Sequence, residues 1–202
     1  MCTLTKRLGV IFAIFMFNIL GAQAANNAAS ADFSITLAPY VNITPVTSPV
    51  LTAHITNKTG NLYAPLSTTF KVITNKAERT KLYLKANTIT QGGYEEAMFE
   101  QGGRVYIAFS NLANPPKSQS LSSCKFGSNP KDSPGVVAYP VTSITGADAR
   151  YLKNKNKYEV TAESGTSFVT VNVGQNVLKN SFAGNDPKGF YQAVLSLTEA
   201  DI

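Results

Sequence analysis

Apolar and polar residues alternate along most of this chain with a period of two, the spacing of side chains on a β-strand. Phe33, Ile35 and Leu37 alternate with Ser34 and Thr36, and Phe70 and Val72 flank Lys71. Leu82 and Leu84 alternate with Lys81, Tyr83 and Lys85. A Thr-rich run covers residues 50–56, and further strand-like runs cover 105–109, 136–139, 158–161, 168–171 and 191–197. β-Branched and aromatic residues dominate these runs, and Gly, Asn, Pro and Ser punctuate the gaps. About nine such segments predict an all-β fold, an antiparallel sandwich. Helical signal is confined to residues 94–100, between Gly92-Gly93 and Gly102-Gly103, where a short helix and a wide hairpin loop both fit. Residues 111–135 are rich in Pro and Ser and read as a long loop. Residues 25–31 are small and polar and read as an unstructured leader.

One apolar run has a different character. Residues 8–20 are apolar apart from Gly9 and Asn18, follow Lys6 and Arg7, and precede the small-x-small triplet Ala22-Gln23-Ala24. That order is the pattern of a secretory signal peptide. The run is shorter than the roughly 20 apolar residues of a spanning helix, and Cys2 lies before it, the wrong side for a lipoprotein. The expected division is a signal peptide over 1–24 and a single domain over 25–202, with an N-terminal extension over 25–40. Removing 24 of the 202 residues leaves 178, enough to bury a core.

Composition narrows the functional classes. The chain has 18 basic and 12 acidic residues, and two of the basic ones lie in the expected signal, so the net charge falls from +6 to +4 on its removal. The lysines are spread, with a small cluster only at Lys153, Lys155 and Lys157, so no nucleic-acid partner is expected. Cys2 departs with the signal and leaves Cys124 alone, a tolerated loop or strand-end thiol, with intermolecular pairing as the alternative. The exported domain is then held by its core without an internal disulfide.

Catalytic chemistry is poorly supplied. His54 is the only histidine and falls in a strand-like run, where an edge or surface role is expected. No GxSxG elbow, P-loop or CxxC pair occurs. Glu95, Glu96 and Glu100 are grouped, but on one short segment they read as a solvated face and not as carboxylates flanking a substrate. Asp186 sits in the turn sequence Asn185-Asp186-Pro187-Lys188-Gly189. The expectation is a non-enzyme with no catalytic residue, no metal and no cofactor.

Two terminal segments stand out. Phe33, Ile35 and Leu37 form one apolar face just behind the leader, and Gly189-Phe190-Tyr191 opens a strand that sets Tyr191, Ala193, Leu195 and Leu197 on one face. The inward register continues to the charged Glu199 and Asp201, so either the strand ends at Thr198 or the register shifts. With their order and placement, these segments resemble a chaperone–usher fimbrial subunit, a pilin. The stretch 66–75 and Lys81-Leu82-Tyr83-Leu84-Lys85 are similar in style to disulfide-free alpha-type pilins.

The resemblance implies an immunoglobulin-like sandwich that is incomplete and is completed by a donor strand. Phe33, Ile35 and Leu37 would be the donor strand for a neighbour's groove. Gly189, Tyr191, Ala193, Leu195 and Leu197 would form the C-terminal groove-edge strand. Burying three such donor side chains would contribute roughly 5–8 kcal/mol before entropy costs. The implied partners are neighbouring subunits, a periplasmic chaperone, an outer-membrane usher and a host or surface receptor. The implied location is the cell-surface fimbria, reached through the periplasm. The bacterial origin this implies makes the glycosylation-type triplets Asn42-Ile43-Thr44 and Asn57-Lys58-Thr59 coincidental. The competing expectation is a self-complete secreted β-sandwich that binds at, or coats, the cell surface.

Overall fold

A computed structural model describes residues 31–47, 50–54, 66–117, 121, 133, 135–174, 187 and 189–199, with the backbone alone for 50–54. The expected signal peptide, residues 25–30 of the leader, Cys124, Asn57 and Asp186 lie outside the described residues. The chain divides into residues 1–38 and 39–202. Residues 31–38 carry no regular secondary structure, and Phe33, Ile35 and Leu37 are exposed. This corrects the strand reading of that segment: an extended run becomes a strand only when a neighbour takes up its backbone hydrogen bonds.

The second unit is built of antiparallel strands, β1 (Val41–Pro45), β2 (Val50–His54), β3 (Leu66–Thr74), β4 (Thr80–Thr90), β5 (Gly93–Glu96) and β6 (Met98–Gln101), followed by β7 (Arg104–Asn111), β8 (Val136–Thr145), β9 (Asp148–Leu152), β10 (Lys157–Ala162), β11 (Gly165–Val173) and β12 (Phe190–Glu199). The order across the sheet is β1-β3-β11-β8-β7-β12-β4-β10-β9, with β2 added to β12, β5 to β4 and β6 to β7. The architecture is the expected all-β antiparallel sandwich. Residues 94–100 form neither the short helix nor the wide hairpin loop that their sequence allows. They are the hairpin partners of β4 and β7, with Tyr94 opposite Ile89 and Phe99 opposite Tyr106.

Strand β8 passes from one face of the sandwich to the other. Its first half pairs with β7, ending at Tyr106 opposite Pro140, and its second half pairs with β11 from Val141 onward. Pro140 has no N–H to give a ladder, so it is suited to the residue where the strand changes partner. A register shift between Asn172 and Val173 lies at the same crossing.

The core follows from the alternation. Phe70 and Val72 of β3 and Val169, Val171 and Val173 of β11 meet Leu82 and Leu84 of β4, Val160 of β10 and the inward side of β12. Strand β7 and the first half of β8 are buried on both faces, as their uninterrupted apolar runs Val105–Phe109 and Val136–Tyr139 require. There Phe109 and Tyr139 meet edge to face at 5.4 Å.

The grouped glutamates are structural ties. Glu95 Oε2 accepts the Leu121 N–H at 2.9 Å, Glu96 Oε2 accepts Asn156 Nδ2–H at 3.2 Å, and Glu100 lies 3.4 Å from Lys153 Nζ. The last two fasten the β9–β10 hairpin to β5 and β6. Within that hairpin Tyr151 and Tyr158 pack at 5.2 Å, and the Tyr151 hydroxyl donates to Asn156 Oδ1 at 2.7 Å.

Burial pushes both phenols up to about 12, with Glu100 and Glu96 adding to the effect at Tyr151 and Tyr151 adding to it at Tyr158. A raised phenol favours the neutral side chain in the fold, so its contribution is complete below pH about 10 and is lost as pH rises toward 12. Ultraviolet titration should therefore show two tyrosines ionising about two units late in the folded chain. Thermal stability should fall over that window, and Tyr158→Phe should flatten the fall.

Candidate functional site: the two edges of the terminal strand

A glycine precedes strand β12 for a steric reason. A Cβ on Gly189 would lie 2.2 Å from Asn111 Oδ1 and 2.4 Å from Asn111 Nδ2. Asn111 is fully buried, and its Oδ1 accepts the Ala113 N–H at 3.0 Å, which turns the chain at the end of β7. The Leu112 N–H then donates to Phe190 O at 2.9 Å and seats the start of β12 against that turn. Two residues into the motif, the Tyr191 hydroxyl donates to Pro187 O at 2.9 Å, which satisfies the polar end of an otherwise buried ring.

Along one edge β12 pairs first with β7, Tyr191 opposite Asn111, and then with β4, from Ala193 opposite Thr88 to Glu199 opposite Leu82. Thr88 bridges the change of partner. Its buried Oγ1 accepts the Ser110 N–H at 2.8 Å and donates to Gln192 O at 3.2 Å. One hydroxyl thus closes two backbone groups that no regular ladder reaches.

The other edge is divided. Strand β2 pairs with its first half, from Phe190 opposite His54 to Val194 opposite Val50. Among the described residues, no strand pairs with residues 195–199 on that side. Tyr191, Ala193, Leu195 and Leu197 alternate inward as expected and are all buried within the single chain. The strand does not end at Thr198. It keeps its register to Glu199, whose inward carboxylate pairs with the Lys76 ammonium.

The donor-strand candidates Phe33, Ile35 and Leu37 are 81%, 89% and 79% exposed. His54, expected at an edge, is in β2 opposite Phe190. Asn111 and Thr88, which hold β12 in place, were not singled out from the sequence. A buried Asn at a strand end before a loop is a signal visible only once the turn is known. Among the described residues no group of His, Cys, Asp and Glu could hold a metal ion, and no helix is long and apolar enough to cross a membrane. No family model, curated protein or solved structure matches this chain.

Two substitutions check this account. Gly189→Ala should destabilise the fold by about 1–3 kcal/mol through overpacking against Asn111, and Asn111→Gly in the same chain should recover part of that loss in denaturant unfolding. Thr88→Val keeps the shape but strands the Ser110 N–H and the Gln192 carbonyl. It should cost about 2 kcal/mol or more, whereas Thr88→Ser should cost little.

Proposed function

We propose that this chain is a structural subunit of a bacterial surface fimbria, exported through the periplasm and polymerised by donor-strand exchange. One observation carries the reading. An alternating apolar segment ahead of the sandwich leaves Phe33, Ile35 and Leu37 exposed. Exposed apolar side chains in a row of this kind mark a binding surface. The alternation fits addition to a sheet edge, where main-chain bonds give affinity and alternate side chains give specificity. In this reading the neighbouring subunit supplies the edge. A periplasmic chaperone and an outer-membrane usher handle the chain before assembly, and exposed loops contribute to adhesion.

A second reading is favoured by a different observation. Strand β2 occupies one edge of β12 along residues 190–194, and Tyr191, Ala193, Leu195 and Leu197 are buried within the single chain. That arrangement supports a self-complete secreted sandwich with a binding role at the cell surface.

Deleting the mature chain through Leu37 separates the two. For a fimbrial subunit, the truncated chain should unfold at the same denaturant concentration as the full one but no longer enter polymers in light scattering or on native gels. A truncated chain that still polymerises, or a monomer whose midpoint drops on truncation, would sink the fimbrial reading.

A further inference from the structure

We infer that, under either reading above, the outer face of β4, β10 and β9 binds the acid groups of an anionic polysaccharide. On these strands the residues between the buried Leu82, Leu84 and Val160 turn outward, and the ladders set them in rows. Tyr83 stands opposite Glu159, which stands opposite Arg150 on its other side. Lys81 lies one row away, opposite Thr161. Lys85 lies one row away in the other direction, opposite Ser196 of β12, and Lys157, two residues before Glu159, shares its outward side. Lys81 and Lys85 are about 13 Å apart along their strand, so the face has room for more than one acid group. Four cations from three strands meet here, which is why their separation along the chain hides them.

The charges on this face do not cancel. Glu159 is the carboxylate in its middle, and its side chain is only 14% exposed beneath two cations, Arg150 Nη2 at 2.8 Å and Lys81 Nζ at 3.9 Å. Those two cations remain 70% and 62% exposed. At the far end, Asp148 and Glu163 are both held by Arg79, at 2.9 and 3.1 Å. Lys157 Nζ sits over the Tyr83 ring, 3.6 Å from its centre, a contact that fixes the ammonium without neutralising it. Among the described residues no ion pair involves Lys85. The end of the face around Lys85 and Lys157 therefore carries fixed positive charge that a carboxylate or sulfate would complement.

The kind of partner follows from what surrounds the cations. Bases of a single-stranded nucleic acid stack on open aromatic faces, and the ring on this face, Tyr83, is capped by Lys157. A membrane surface takes up apolar side chains, whereas Leu152 beside Lys157 is half-buried and the other uncharged neighbours are Thr161, Ser196 and Thr198. Hydroxyls set among fixed cations suit a chain of sugar hydroxyls and spaced acid groups.

Isothermal titration of the full chain tests this. Polygalacturonate offers carboxylates on a sugar chain and heparin offers sulfates as well; both should bind, and uncharged dextran should not. Raising the salt from about 50 to about 200 mM should weaken binding roughly 20- to 50-fold, as counterion release at three or four cations requires. Lys85→Gln with Lys157→Gln should weaken binding of both polymers by about tenfold or more, and Lys85→Arg with Lys157→Arg should keep it. Lys71→Gln with Lys117→Gln removes the same charge from other elements and should change binding by less than about twofold.

Lysine acetylation of the unaltered chain, read by mass spectrometry, gives a second measurement that needs no variant. Polygalacturonate should slow acetylation of Lys81, Lys85 and Lys157 and leave Lys71 and Lys117 as they were. Equal losses from the two glutamine pairs, or equal protection of all five lysines, would overturn the face as a site and leave net charge alone as the cause. Tighter binding of duplex DNA, or of phosphatidylglycerol vesicles, than of either acidic polysaccharide would overturn the choice of partner. No binding of either polysaccharide at about 50 mM salt would overturn the whole inference.

Discussion

A β-strand has two edges, and each of its backbone polar groups must find a partner on one of them or meet water. In this protein that constraint bears hardest on β12. Its core-facing side chains close the sandwich, so it must lie deep, yet it changes partner on one edge and, among the described residues, is paired on the other only from Phe190 to Val194. Each local oddity nearby answers this need. Gly189 makes room for the Asn111 amide, Asn111 holds the turn that delivers Leu112 N–H to Phe190, and the Thr88 hydroxyl covers the gap between β7 and β4. Lys76 neutralises Glu199 where the inward register runs past the apolar residues.

The other exposed edges show what an edge looks like when pairing is discouraged. Strand β9 carries Asp148 and Arg150, with Arg150 tied to Glu159 at 2.8 Å, and β1 ends in Pro45. Charges and proline are the usual means of blunting an edge. The half of β12 that no described strand covers on its second edge reads Leu195-Ser196-Leu197-Thr198, with neither a charge nor a proline before Glu199. An edge without those devices depends on being covered to avoid unwanted pairing.

The strands themselves could be read from the sequence, because alternation survives wherever one side of a strand is buried. Strand β4 is longer than its apolar run, since Thr80, Thr88 and Thr90 take inward positions that a hydrophobicity pattern does not count. Strands β1 and β9 escaped notice because edge strands bury too little to need a strong pattern; Val41 and Ile43 of β1 are only partly buried and Arg150 of β9 is exposed. The hairpin of β5 and β6 looked helix-compatible because Glu95, Ala97 and Met98 are good helix formers, and long-range pairing with β4 and β7 overrode that preference. The inward face of β12 was visible in advance. The pairing of β2 with its first half was not, because residues 50–54 and 190–194 meet only through the finished fold.

That last pairing bears on the monomer itself. Tyr191 lies opposite Ala53 of β2 on one edge and opposite Asn111 of β7 on the other, and Ala193 lies between Leu51 of β2 and Thr88 of β4. The first half of β12 is therefore a central strand, with main-chain partners on both sides. A strand so placed can bury its core-facing residues, as Tyr191 and Ala193 do, without leaving backbone groups stranded. The residues that seat it, Gly189 against Asn111 and Thr88 under Gln192, lie along this same half, where burial leaves the least room for an unpaired group.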